Sequence, residues 1–387
     1  MNMFNCRKLS AVPLFLLSAA VLVTACSEDS FQFTKGSPVS FIAGSGGDTF
    51  TRTSYSGELD GGRERVDWEE GDLIRIYCSA VSEPSSKYAD YRISAGSINA
   101  DGAISEANIE GLGGIGLRWG DEDATHTFYA VYPSPATPAL LSGGVESDVL
   151  SDGQFSGHVD AVQTPLSIVG SSSPYTAVPD LTSEYMLART AISAGDRNVS
   201  GDDVYLSFMP VVTAIEFTIR NDYANGGDLL IESVSLESES HSLSGPFCAD
   251  MTALGAGGYP SVSLSGSTGS PNGKTVSIDF TSHADGYITI AKGEDLVFTF
   301  FLLPESDIDD LTFRIDRPDG SWVSTRLATL GSSGYEGLLF PQFKKTYVKG
   351  ILVPEGAKWS TKNTDMVTSW VFSSETPYGL ILGHSED

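Results

Sequence analysis

The sequence predicts an all-β chain folded as two tandem β-sandwich domains. Three observations carry that expectation. First, apolar and polar residues alternate over short runs. In "VVTAIEFTIR", Val211, Thr213, Ile215, Phe217 and Ile219 take one face, and Val212, Ala214, Glu216, Thr218 and Arg220 the other. A period of two marks a half-buried strand. Second, turn signals such as "NADG", "RPDG", "SPNGK" and "NDYANGGD" separate the runs. Third, 41 glycines, 15 tyrosines and 19 phenylalanines among 387 residues favour strands and turns over helices. That length suits about two domains.

The first element lies outside both domains. Residues 1–25 read as a secretion signal: Arg7 and Lys8 give a positive start, and Ala11 to Val23 form an apolar run. At about 13 residues the run is short for a bilayer span. Val23-Thr24-Ala25-Cys26 then follows the pattern of a bacterial lipobox. Small residues at Thr24 and Ala25 let an extended backbone enter a peptidase cleft, and the Cys26 thiol becomes the site for diacylglycerol. Several acyl chains on one residue anchor far more firmly than one. The other reading is an ordinary signal with an incidental cysteine. Ser27, Glu28 and Asp29 follow at once. They resemble the acidic surface-export signal of lipoproteins from Bacteroides-like bacteria, against the plainer reading of a solvated linker.

Loss of Arg7 and Lys8 with the signal takes the net charge from −27 to −29. Such a surface repels phosphate backbones and anionic lipid, so no nucleic-acid partner is expected. Cys78 and Cys248 are then the remaining thiols besides Cys26. They fall in different halves and are expected as buried free thiols rather than a disulfide.

Residues 26–48 read as a linker with a candidate leader strand near Ser37 to Ala43, and residues 49–196 as the N-terminal domain. There "GDLIRIYC" alternates Ile74 and Ile76 with Arg75 and Tyr77, and "HTFYAVYP" alternates Phe128, Ala130 and Tyr132 before stopping at Pro133. "SEYMLARTAI" is the best short helix candidate. The polar stretch Ser193 to Asp203 marks a domain boundary. Residues 197–356 form the second domain, with "VYLSF", "VSIDF" and "LTFRI" all alternating. "LVFTFFLLP" looks buried on both faces and ends at Pro304, which cannot donate to a ladder. The tail, residues 357–387, holds two alternating pieces: Met366, Trp370 and Phe372 share one face, and Tyr378, Leu380 and Leu382 another.

Catalytic signatures do not emerge. "TGSPNGKT" lacks the first glycine of a phosphate loop and precedes a strand, so it reads as a hairpin turn. No HExxH occurs, and the five histidines lack zinc spacing. Asp121, Glu122 and Asp123 in "WGDEDATH" lack the ligand spacing and turn glycine of a calcium loop. No nucleophile elbow is evident. The expectation is a protein with no catalytic residues, no metal and no cofactor.

Several pieces together resemble the fimbrillin-like family, the type V pilins of Bacteroides-like bacteria. "FTRTSY" is followed by "VDWEEGDLIRIYC"; "FYAVYP" is an aromatic strand ended by proline; "VYLSFMPVVTAIEFTI" places a break before a long strand; "FFLLPE" precedes "KKTYVKGILV". The match runs from about Phe50 to Val353. It departs where the family often has a histidine after the phenylalanine of the third piece, since Met209-Pro210 follow Phe208 here. That leaves open a stalk, tip or anchor role, or a non-polymerising relative.

The resemblance implies two transthyretin-like β-sandwiches behind a lipoprotein signal, and a place on the outer membrane surface or in a fimbrium. It implies an Arg- or Lys-directed protease that removes the leader and first strand, and a neighbouring pilin subunit that supplies a strand to the emptied groove. β-Strand addition draws affinity from backbone ladders and specificity from alternate side-chain pockets. Mapped here, Arg52 in "GSGGDTFTR" is the preferred cleavage site, with Arg63 and Arg65 as alternatives. A plain surface arginine is the competing reading, since anchor-type relatives keep their leader. Met366, Trp370 and Phe372 form the candidate donor strand, against a strand of their own domain. Partners are then pilin neighbours, outer-membrane lipid through Cys26, and a host or bacterial surface receptor. The alternative function is a glycan-binding surface lipoprotein, with Trp119, Trp322, Trp359 or Trp370 stacking on sugars. A surface hydrolase is third, requiring two carboxylates that converge in a cleft.

Overall fold

A computed structural model describes residues 34–45, 54–60, 63–98, 104–135, 150–151, 153–170, 175–180, 184–193, 203–221, 227–255, 259–264, 273–305, 308–331, 334–337, 340, 342, 345–352 and 368–371. Among them the chain is all-β, with a single 3-10 turn at Leu112–Gly114. No helix among the described residues is long and apolar enough to cross a membrane. Cys26, Ser27, Glu28, Asp29, Arg52, Met366 and Phe372 lie outside the described residues.

The N-terminal half forms a closed barrel, where the sequence pattern suggested a sandwich. Its order is Ser40–Ser45, Asp203–Pro210, Met186–Ile192, His126–Tyr132, Leu73–Tyr77, Tyr88–Ile98 and Ile104–Gly111, which returns to the first strand. Alternation fills the interior from every strand: Ile74 and Ile76, Phe128 and Ala130, and Leu206 and Phe208 are among its buried residues. Closure depends on pairings distant in sequence, which periodicity does not encode. "MLARTAI" is a strand rather than the suggested helix. It pairs antiparallel with His126–Tyr132 along its whole length and with Asp203–Pro210 over Met186 to Ala188. Tertiary pairing on both sides outweighs its modest helix propensity.

In the second half, a six-stranded sheet runs Ser167–Val169, Tyr175–Val178, Asp295–Leu302, Thr213–Asn221, Lys345–Leu352 and Thr368–Val371. A five-stranded sheet runs Val162–Gln163, Thr275–Asp279, Ser233–Glu237, Thr312–Asp316 and Trp322–Arg326. One apolar cluster takes Ile215, Phe217, Phe298 and Phe300 from the first sheet and Leu236, Ile278 and Phe313 from the second. Phe217 stacks on Phe298 at 5.5 Å and on Phe313 at 4.9 Å. Asp295–Leu302 lies inside its sheet with most side chains buried, which explains its continuous apolar run.

The two halves are interleaved. Asp203–Pro210 falls beyond the sequence boundary at residue 196, yet it pairs within the barrel. Conversely, Gln154–Val159, Val162–Gln163 and Tyr175–Val178 precede that boundary and pair with Gly245–Asp250, Thr275–Asp279 and Asp295–Leu302. A third cluster joins Tyr129, Val131 and Leu187 of the barrel to Phe155, Phe247 and Phe301.

Candidate functional site

The first strand of the barrel is the site to which both chemistry and topology point. Ser40–Ser45 runs parallel to Asp203–Pro210 over its full length, Ser40 facing Asp203 and Ser45 facing Phe208. Its other side pairs antiparallel with Ile104–Gly111 over Ile42 to Gly44. Val39, Phe41 and Ala43 point into the barrel and are 6%, 3% and 0% exposed. Phe41 meets Tyr91 edge-on at 5.3 Å and Phe128 at 5.1 Å. Burying Val39 and Phe41 contributes about 1.5–3 kcal/mol each. Although it stands near the N-terminus, this strand is an interior member of the sheet.

A second set of contacts holds the residues just before it. The Gly36 amide donates to the Trp119 carbonyl at 2.8 Å, Val39 to Leu117 at 2.9 Å, and Trp119 back to Ser37 at 2.9 Å. Arg118 donates to the Gly36 carbonyl at 2.8 Å and faces Glu83 at 3.4 Å. Lys35 pairs with Asp121 at the exposed rim. Lys35 therefore holds the Asp121 carboxyl below its ordinary range. The acidic loop that lacks calcium-loop spacing carries, at Asp121, an exposed ion pair with Lys35.

Buried polar groups fix that platform. The Tyr91 hydroxyl accepts the Leu117 amide at 2.7 Å, and burial raises its pKa. His126 is fully buried; its Nε2 accepts the Gly120 amide at 3.1 Å, and its Nδ1 lies 3.1 Å from the Ala124 carbonyl. That arrangement fits a neutral ring with the proton on Nδ1. Burial lowers its pKa. A Cβ on Gly120 would fall inside 3.0 Å of the Ala80 carbonyl, so the loop needs glycine there.

Ser40 and Phe41 part from Ile104–Gly111, and a cleft of about 960 Å3 opens between them. Pro38, Val39, Asn108, Glu110, Ile115 and Arg118 are among its lining residues. At the other end, Tyr205 lies across Gly44. A Cβ added to Gly44 would fall on the hydroxyl end of that ring, well inside 3.0 Å.

The sequence-derived candidates distribute unevenly. Arg63 and Arg65 sit in Arg63–Asp67, which pairs with Ser54–Asp60 as a hairpin. Protease clefts take unpaired extended chain, so these two are poorer cleavage sites than a residue in an unpaired loop. Trp370 lies in Thr368–Val371 and pairs with Gly350 at the edge of its own sheet. For the glycan reading, Trp119 is 1% exposed and packs on His126 and Phe128, so it offers no stacking face. Arg314 covers the Trp322 ring at 4.7 Å. Trp359 lies outside the described residues. Cys78, buried, and Cys248, partly buried, are both free thiols.

A second polar cluster stands apart from the barrel. His241, Asp309 and Asp310 bring ligand atoms within 4.8 Å of one another. Asp310 is already committed. It accepts the Ser238 hydroxyl at 2.5 Å, the Glu239 and Ser240 amides at 2.9 and 2.8 Å, and the Ser240 hydroxyl at 2.7 Å. Partial burial raises its pKa, and these hydrogen bonds outweigh that and bring it to about 2. The arrangement staples the turn from Ser238 to His241. Sequence reasoning missed the first strand's platform at Arg118 and Trp119, and the Gly44–Tyr205 contact. The one available signal was a glycine closing the alternating run "VSFIAG".

No protein-family model and no curated protein matches the chain. Among solved structures, a candidate cell adhesion protein from Bacteroides uniformis is similar at 14% identity and a TM-score of 0.47, covering 88% of this chain and 98% of that one. Another from Bacteroides ovatus gives 12% and 0.42, covering 92% and 100%. A fimbrial assembly protein from Parabacteroides distasonis gives 12% and 0.37, covering 90% and 99%.

Proposed function

We propose that this chain is a surface lipoprotein of the fimbrillin type, acting as a fimbrial subunit or a fimbria-associated adhesin without catalysis. In this reading Cys26 carries lipid at the outer membrane, and Ser27, Glu28 and Asp29 direct the protein to the outer surface. Assembly proceeds by protease-triggered β-strand exchange.

One observation carries the reading: the first described strand, Ser40–Ser45, is paired on both sides within the barrel, and Phe41 and Ala43, with Val39 just before them, join the barrel core. Its loss would leave two unpaired ladders facing one another across an apolar slot. An open slot of that kind binds an extended strand through backbone hydrogen bonds and alternate side chains. While the strand stays seated, the same edges are masked against aggregation. Arg52, just beyond this strand in sequence, sits where a cut would release it.

The test uses purified precursor and a trypsin-like protease. Cleavage between Gly44 and Arg65, followed by an SDS-resistant ladder of oligomers, is the expected result. An uncut segment, or cut protein that stays monomeric, overturns the exchange mechanism.

A further inference from the structure

We propose that His241, Asp309 and Asp310 form a binding site for a zinc-like divalent metal ion, which clamps the turn from Ser238 to His241 onto the connection between the two sheets of the second half. The site stands apart from the strand-exchange reading and does not depend on it.

The placement comes from topology. Ser233–Glu237 and Thr312–Asp316 pair antiparallel, with Glu237 facing Thr312. His241 follows the first strand and Asp309 and Asp310 precede the second, so the two loops meet at one end of this ladder. The connection from Leu302 to Thr312 also carries the chain from the six-stranded sheet to the five-stranded one. His241 and Asp309 are 68 residues apart, which is why histidine spacing gave no sign of the site.

Distances favour a shared cation over a plain ion pair. One ligand atom from each of the three residues lies within 4.8 Å of the other two. His241 Nε2 stands 3.3 Å from Asp309 Oδ1, beyond the limit of about 3.2 Å for ordinary N–H···O bonds. Two ligands on one tetrahedral ion, with bonds of about 2.0 Å, stand about 3.3 Å apart. Two aspartates balance the charge of a divalent ion. An imidazole nitrogen in the set favours zinc-like ions over calcium and magnesium, which prefer oxygen.

The surroundings hold these ligands in place. Glu305 Oε2 accepts the Ser242 amide at 2.5 Å and lies 3.4 Å from His241 Nδ1. A carboxylate behind one ring nitrogen orients a ligating histidine and leaves the lone pair of the other nitrogen for the metal. Asp310 Oδ2 accepts the Glu239 and Ser240 amides and the Ser240 hydroxyl, whereas Oδ1 accepts the Ser238 hydroxyl alone among the described residues. A carboxylate oxygen has two lone pairs, so Oδ1 keeps one for a cation. The Asp309 side chain is 60% exposed, which lets an ion enter from solvent and a water complete its coordination.

The test titrates the chelator-stripped, tag-free full-length chain with zinc chloride by calorimetry and follows thermal unfolding. One tight zinc per chain is expected, and zinc at about 100 times Kd raises the melting temperature by about 5 °C. Asp309→Asn alters an exposed side chain and weakens binding about tenfold or more, as does His241→Ala, while Glu305→Gln weakens it about tenfold through the ring. Where His241→Ala fails to fold, Asp309→Asn decides alone. No binding at about 100 μM zinc overturns the site. So does binding that Asp309→Asn leaves undiminished, because the ion is then held elsewhere. Calcium bound as tightly as zinc, and unaffected by His241→Ala, overturns the role of the histidine.

Discussion

Two strands near the two ends of the chain invite comparison. Ser40–Ser45 is paired on both sides, over six residues with Asp203–Pro210 and three with Ile104–Gly111. Among the described residues, Thr368–Val371 is paired on one side, over four residues, at the outer edge of a sheet. The first closes a barrel; the second adds the outer row of its sheet among the described residues. Nearness to a terminus thus says little about structural weight. A terminal strand is dispensable when the core closes without it and a keystone when it supplies both ladders and side chains.

The largest test of this contrast is Phe41→Ala. Truncating a fully packed phenylalanine costs about 3–5 kcal/mol. Urea unfolding followed through the buried barrel tryptophans Trp68 and Trp119 should show a midpoint shifted well downward. A shift equivalent to less than about 1 kcal/mol would sink the keystone description, because a cavity in a rigid core costs more than that.

Next in size is Asp310→Asn in the second half. The substitution weakens charge-assisted hydrogen bonds and costs about 1–3 kcal/mol. Its pH signature is specific. The folded pKa of about 2 lies below the ordinary 3.8, so the stabilisation is complete above 3.8 and lost as pH falls toward 2. Acid titration of the variant should lack that part of the loss; an unchanged titration refutes the assignment.

The barrel responds to acid earlier and more gently. His126 has a folded pKa below its ordinary 6.5, so its neutral form stabilises the barrel fully above 6.5, and that contribution falls as pH drops through the lower folded value. Barrel fluorescence should therefore begin to destabilise at higher pH than the Asp310 turn. Replacement by glutamine should flatten that slope. The smallest expected effect is deletion of residues 368–387. Losing one edge ladder should leave the barrel transition within about 0.5 kcal/mol of wild type; a large shift there would erase the contrast between the two strands.

Much of the fold was legible because burial and alternation coincide. The alternating runs "VYLSF" and "VSIDF" bury Val204, Leu206 and Phe208, and Val276, Ile278 and Phe280. What was not legible depended on partners distant in sequence. Nothing in "HTFYAVYP" says that Tyr129 and Val131 also find cover on the outside of the barrel, as they do against Phe155 and Phe247. "MLARTAI" has residues compatible with either period, and its two neighbouring strands decided the outcome. At the site, the leader strand was anticipated near Ser37 to Ala43 and runs from Ser40 to Ser45. The Gly44–Tyr205 contact was invisible, since a tyrosine on an outward position signals nothing until its ring is seen across a glycine.

The parallel pairing of Ser40–Ser45 with Asp203–Pro210 also sets a timetable for folding. Ser40–Ser45 acquires its longest ladder only after some 160 further residues (203 minus 40 is 163) have been made. Loop closure over such a separation is entropically costly and slow compared with hairpin formation. Local hairpins such as Leu73–Tyr77 with Tyr88–Ile98 can form early, while the seam waits for Asp203–Pro210. Sealing of the barrel is therefore a late event in the life of the chain, and until then the barrel lacks its final lock.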